Sequence, residues 1–155
     1  MKAYVKQLNN KGNNEEGIKE IIELWNENAM ETAECELDEN DRMAVQDQLE
    51  QFIQSKYGTV FVVMNEFQHI VAYAIASIKK DLVSDMLYGQ IDEVYVTEKY
   101  RRKKVAQNLV DHLITWLNQE EITAIHVYVD LDNKLALEFW EKSGFDREFF
   151  VLSNN

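Results

Sequence analysis

Ile91-Asp92-Glu93-Val94-Tyr95-Val96-Thr97-Glu98-Lys99-Tyr100-Arg101-Arg102-Lys103-Lys104-Val105-Ala106 begins as an apolar strand, passes through a basic turn and opens an amphipathic helix. A strand that feeds a helix through such a turn points free backbone N–H groups and the positive end of the helix dipole at one place, the geometry that grips a phosphate. Ordinary helix starts favour acids. Lys99, Arg101, Arg102, Lys103 and Lys104 cluster at this one instead, which favours a bound polyanion over a merely solvated helix start.

Reading outward from the turn, Val105, Leu109, Val110, Leu113, Ile114 and Leu117 lie on one face of a helix that runs to Gln119. Ile122 to Val129 reads as a strand, Asn133 to Lys142 as a helix and Glu148 to Leu152 as a last strand. The strand–helix–strand unit from Ile91 to Val129 predicts neighbouring parallel strands joined by a crossover. Toward the N-terminus, residues 3–8 read as a strand and Asn9 to Asn14 as a polar turn. Ile18, Ile21, Ile22 and Trp25 recur at helical spacing, as do Met43, Val45, Leu49, Phe52 and Ile53 within Asp41 to Lys56. Residues 59–64 and 70–78 form a hairpin of buried strands. The predicted order is β-α-α-β-β-β-α-β-α-β, a mixed α/β domain over residues 1–155 with no linker, repeat or proline.

A net charge of −12 disfavours nucleic acid, whose phosphates would be repelled. No apolar run approaches the roughly 20 residues of a membrane span, and Met1-Lys2-Ala3-Tyr4 lacks a signal peptide's apolar segment, so a soluble, cytoplasmic protein is expected. The single cysteine, Cys35, and three scattered histidines give neither an internal disulfide nor metal-ligand spacing.

The order of these motifs resembles the GNAT family of N-acetyltransferases, in which a strand leads into V-x-P-x-Y-R-x-x-G-x-G/A, a second strand ends V-x-x-x-N and a helix ends Y-x-K-x-G-F. Here the pattern reads Val96-Thr97-Glu98-Lys99-Tyr100-Arg101-Arg102-Lys103-Lys104-Val105-Ala106, then Val129 and Asn133, then Trp140-Glu141-Lys142-Ser143-Gly144-Phe145. Three positions depart from it. Lys104 stands at the glycine that lets the backbone approach a pyrophosphate, Trp140 at a tyrosine that often protonates the departing thiolate, and Glu98 at the proline. An indole N–H donates a hydrogen bond but is no ordinary acid.

The resemblance implies acetyl-CoA as cosubstrate, its pantetheine arm inserted between strands that splay near 91–96 and 122–129. It assigns the phosphates to Arg101, Arg102, Lys103, Lys104, Val105, Ala106 and Gln107. The pantetheine arm goes to Asn133 and the backbone of Val94 and Val96, whose unpaired groups need partners. Asn133 also suits a helix N-cap. Phe139 and Trp140 fit a groove or core wall better than a catalyst. Glu93 is the expected base for the amine, with Asp92 the competing acid. Strand alternation puts Glu93 on the face of Ile91 and Tyr95, opposite Asp92, Val94 and Val96. Tyr95 and Tyr128 are candidate proton donors.

The acceptor is expected to be a small cationic primary amine. Glu31, Glu34, Glu36, Asp38, Glu39 and Asp41 crowd the joint of the first two helices, where the family lines its acceptor groove, and an acidic wall would concentrate cations. The alternative function is a non-catalytic acyl-CoA sensor, motivated by Lys104 and Trp140. The short tail after Phe145 would leave a sheet edge unpaired, which a homodimer would cover.

Overall fold

The computed structural model describes residues 2–154, so the ends of the single-domain reading, 1 and 155, lie outside it. The elements are β1 (Ala3–Leu8), α1 (Glu15–Ala33), α2 (Glu39–Gln54), β2 (Gly58–Asn65), β3 (Ile70–Lys80), β4 (Leu87–Val96), a 3-10 turn (Glu98–Tyr100), α3 (Val105–Gln119), β5 (Ile125–Val127) and α4 (Lys134–Lys142). They form the expected mixed α/β architecture. The sheet runs β1-β2-β3-β4-β5 in sequence order; the first four strands pair antiparallel, and β4 and β5 pair parallel across the α3 crossover.

Each face of the sheet carries its own core, because strand residues alternate between faces. On one side Val60, Val62, Tyr73 and Ile75 pack against Ile18, Ile21 and Ile22 of α1 and Leu49 of α2. On the other, Phe61, Val63, Ala72, Ala74 and Ala76 pack against Leu109, Val110 and Leu113 of α3 and Trp140 of α4. Small residues let α3 come close: a Cβ at Gly89 would lie 2.8 Å from both Leu117 δ-carbons. The start of α2 is closed by a capping box, in which Asp41 N–H donates to Asp38 Oδ1 at 2.8 Å and Asp38 N–H to Asp41 Oδ2 at 3.1 Å. No helix of the described residues is long and apolar enough to cross a membrane.

Two expectations about strands are corrected. Residues 122–129 contribute only Ile125–Val127 as strand, because β5 pairs with Gly89, Gln90 and Ile91 and then parts from β4. The strand expected at Glu148 to Leu152 does not form, so the element order ends at α4. Its Phe149, Phe150, Val151 and Leu152 stay exposed. Phe149 does reach His126 of β5, with ring centres 5.9 Å apart. Strand propensity needs a hydrogen-bonding partner to become a strand, and the edge on offer is three residues long.

A third correction concerns β4. The β3–β4 register shifts between Ile75, opposite Glu93, and Ala76, opposite Ile91, leaving Asp92 as the extra residue of a β-bulge. One inserted residue reverses the alternation. Ile91 therefore joins the α3 side with Val96, while Tyr95 belongs to the α1/α2 side. Asp92 and Glu93 line one cleft, not opposite faces.

Candidate active site

Past the bulge, Glu93 lies beneath α1, where Asn28 Nδ2 donates to its Oε1 at 2.9 Å. Burial pushes the Glu93 carboxyl up to about 7; the Asn28 bond opposes that shift and the neighbouring Asp92 charge adds to it. A carboxylate in this range can take a proton near neutral pH and release it again. Asp92 accepts from Ser77 Oγ at 2.7 Å, and burial raises its carboxyl too, against the Ser77 bond and the Lys79 charge. Both acids line a cleft of about 570 Å³ with Trp25, Gln48, Gln51 and Phe52 from α1 and α2. Tyr73 lies behind it, stacked on Trp25 at 5.6 Å, its hydroxyl buried without a partner. Burial, then the Glu93 charge, pushes that phenol up, so it stays protonated.

The same strand supplies the second part of the site. Thr97 N–H donates to Val71 O at 3.0 Å, so alternation turns the N–H groups of Glu93 and Tyr95 toward β3 as well. The backbone groups of Val94 and Val96 then face the edge that β5 has left. Beyond Thr97, Arg101 N–H closes the 3-10 turn on Glu98 O at 3.2 Å. From there the six N–H groups of residues 102–107 have no hydrogen-bond partner among the described residues. Arg102 and Lys104 both take left-handed backbone, with φ of 61° and 62°. Lys104 N-caps α3 with no side-chain cap bond. Consecutive free N–H groups in such a turn make an anion-binding concavity. The glycine of the resembling pattern is thus explained by its φ, and Lys104 keeps the turn at a strain of roughly 1 kcal/mol.

Arg101 has other partners than a phosphate. Its Nε donates to Val96 O at 2.8 Å and its Nη2 to Glu31 Oε1 and Oε2 at 2.9 and 2.7 Å. The guanidinium also lies 5.4 Å from the Tyr95 ring centre. Tyr95 Oη shares its proton between Glu31 Oε1 at 2.9 Å and Glu27 Oε2 at 3.2 Å. Burial first, then the Glu31 bond, pushes that phenol up, which makes it a poor proton donor to a thiolate. Tyr128 is exposed.

The acidic joint divides differently from expectation. Asp38 and Asp41 close the α2 start, and Glu31 binds Arg101. None of the six joint acids lines the cleft, which opens farther along α2.

Asn133 caps α4, its Oδ1 accepting from Ala136 N–H at 3.0 Å, so its Nδ2 remains able to donate elsewhere. Phe139, Trp140 and Phe145 pack edge-on at 5.0 and 5.2 Å between ring centres, with Trp140 in the α3-side core. Gln107 accepts from Ser143 Oγ at 2.9 Å and so ties the α3 start to the end of α4. Sequence reasoning missed Asn28, Ser77, Trp25 and Tyr73 as parts of the site. Asn28 reads as one more polar residue on α1, and only the register of β4 brings it to Glu93.

The sequence model of the Acetyltransferase (GNAT) family matches residues 16–145. No curated protein matches the chain. Among solved structures, an aminoglycoside acetyltransferase, meta-AAC0020 from an uncultured soil metagenomic sample, in complex with trehalose, is 16% identical at a TM-score of 0.77, covering 99% of this chain and 94% of its own. The aminoglycoside N-acetyltransferase AAC(6')-Iy in complex with CoA is 15% identical at 0.79, covering 99% and 93%. The ribosomal-protein-alanine N-acetyltransferase of Brucella melitensis biovar Abortus 2308 is 14% identical at 0.75, covering 100% and 99%. These likenesses are of fold; the sequence match spans most of the chain, and with the strand, turn and helix order it places the protein in the GNAT family of N-acetyltransferases.

Proposed function

We propose that the chain moves an acetyl group from acetyl-CoA to a small cationic primary amine, with Glu93 as the base. The observation that carries this reading is a partly buried carboxyl poised at about 7 on the strand that ends in the open turn. Acetyl-CoA supplies a thioester whose carbonyl carbon is the electrophile. The turn fits its phosphates, since the N–H groups of residues 102–107 need acceptors and Arg102, Lys103 and Lys104 add positive charge. Val94 and Val96 offer backbone groups to the pantetheine arm, Asn133 a free Nδ2, and Phe139 and Trp140 a wall. Arg101 holds the turn through Val96 and Glu31.

Glu93 takes a proton from the ammonium, directly or through a water, and leaves a neutral amine. That nitrogen forms the new C–N bond as the C–S bond breaks and coenzyme A leaves as thiolate; the second proton that the acylated nitrogen sheds ends on the thiolate sulfur, directly or through water. Trp140 is not the acid for that thiolate.

A net charge of −12 supports a small cation over nucleic acid as partner. The homodimer reading rests on the exposed Phe149 to Leu152 beside the short β5 edge, and sedimentation velocity tests it. The function itself is tested by free-thiol release from acetyl-CoA across an amine panel, run beside calorimetric binding of coenzyme A. Turnover with binding is the expected result; tight binding with no turnover of any amine would leave an acyl-CoA sensor.

A further inference from the structure

The bulge at Asp92 gives the cleft two adjacent carboxylates where regular alternation would give one. Each has one oxygen already used, Asp92 Oδ2 by Ser77 and Glu93 Oε1 by Asn28. Asp92 Oδ1 and Glu93 Oε2 have no hydrogen-bond partner among the described residues. The remaining wall is aromatic and amide-bearing, with Trp25, Phe52 and Tyr57 beside Gln48 and Gln51, and no lysine or arginine lines it. Lys79 is close enough for its charge to reach Asp92, yet no ion pair between them occurs among the described residues. Tyr57 already holds a cation, the Lys56 ammonium, 5.0 Å from its ring centre.

Acetyl transfer to one amine uses one base. Glu93 fills that role in the proposed function, on which this inference rests, and Asp92 is left over as a half-buried acid facing the same space. We propose that Asp92 is a specificity-determining residue that binds a second ammonium of the acceptor, so the preferred substrates are amines with another cationic nitrogen a short linker away. The two carboxylates belong to neighbouring residues, whose Cα atoms are about 3.8 Å apart, so the second nitrogen is expected a short chain from the first. Aromatic faces add attraction for the same cation. Aliphatic diamines and aminocyclitols with vicinal amines share this chemistry.

The test compares ethylenediamine, putrescine and cadaverine with n-butylamine, and neamine with a single-lysine peptide, on the full chain. A further pair is an aminoethyl-trimethylammonium and its neutral tert-butyl isostere, which differ in charge but hardly in shape. We expect kcat/KM for the diamines to exceed that for the monoamine by tenfold or more, and the charged isostere to exceed the neutral one similarly. Asp92→Asn should bring both ratios close to one, while Ser77→Ala, which removes only a hydrogen bond to Asp92, should preserve most of the preference. A structural role for Asp92 would lower all rates and leave the ratios in place. Calorimetry with the isosteres reads the cation site without chemistry. Equal binding of the two overturns the inference even if acetyl transfer occurs; preference for the charged one without turnover overturns the acetyltransferase mechanism instead. Turnover of neamine against putrescine decides between aminocyclitol and aliphatic acceptors.

Discussion

The acid pair within β4 and the basic turn beyond its end belong to one continuous run of chain, yet each is made competent by the opposite condition. Glu93 gains its proton affinity from cover: it lies under α1, hydrogen-bonded to Asn28. The turn depends on openness, with Arg102, Lys103 and Lys104 exposed and six backbone N–H groups unpaired. The start of α2 sharpens the contrast, because there Asp38 and Asp41 satisfy the helix end from within the chain. A helix start that the chain caps itself needs no partner; one left uncapped and surrounded by cations leaves its N–H groups open to an anion.

Removing the covered carboxylate should have the largest effect. Glu93→Gln is expected to keep acetyl-CoA affinity and lower kcat by about 10²–10⁴-fold, with partial recovery at alkaline pH where the amine is already neutral. In the natural protein kcat/KM should rise as pH passes about 7. Unchanged turnover at neutral pH would remove Glu93 as the base. Stability gives an independent reading. The folded-state value lies above the ordinary 4.5, so native stability held below that value is lost as pH rises through about 7. At pH about 8 the glutamine variant should therefore resist urea better, by on the order of 3 kcal/mol.

The open region comes next. Arg102→Ala with Lys103→Ala should weaken coenzyme A by tenfold or more, since charge-assisted contacts contribute about 1.5–3 kcal/mol each. Pantetheine should lose little. Equal losses for the two ligands in calorimetry would move the phosphates away from this turn.

Glu31→Gln tests the link between the regions, because it removes the fork that holds Arg101 to α1. The pair is more than a third exposed, so a contribution of about 0.2–1 kcal/mol is appropriate. KM for acetyl-CoA should rise two- to fivefold or so, with kcat nearly unchanged. A collapse of kcat would put Glu31 in the chemistry.

The smallest expected effect on binding is that of Lys104→Gly. Glycine relieves the left-handed strain, adding up to about 1 kcal/mol in thermal unfolding, while coenzyme A affinity at low salt stays nearly the same. Its salt dependence should flatten, since one charge is gone. Tighter binding by tenfold or more would mean that lysine obstructs the turn.

The fold was legible where the signal was periodic. The stripe from Val105 to Leu117 marked α3 to the residue, and the alternating run of residues 3–8 marked β1 likewise. It was misleading at Glu148 to Leu152, where propensity had no partner strand, and at Ile122 to Val129, where β5 leaves the sheet after three residues. In the site, the open turn was legible because its charges contradict the helix dipole. The partner of Arg101 was not, because Glu31 stands 70 positions away. The Asp92 bulge depends on a register shift against β3 that the alternation of β4 conceals.

By itself the sequence determined the alternation of strands and helices, the crossover and the basic turn, since side-chain period, capping and local charge act over a few residues. Tertiary structure alone decided that Asp92 and Glu93 share a cleft, that Glu93 titrates near neutrality and that Arg101 turns to α1. Register, burial and ion pairing depend on which distant segments meet, and dielectric cover exists only once α1 lies across the sheet.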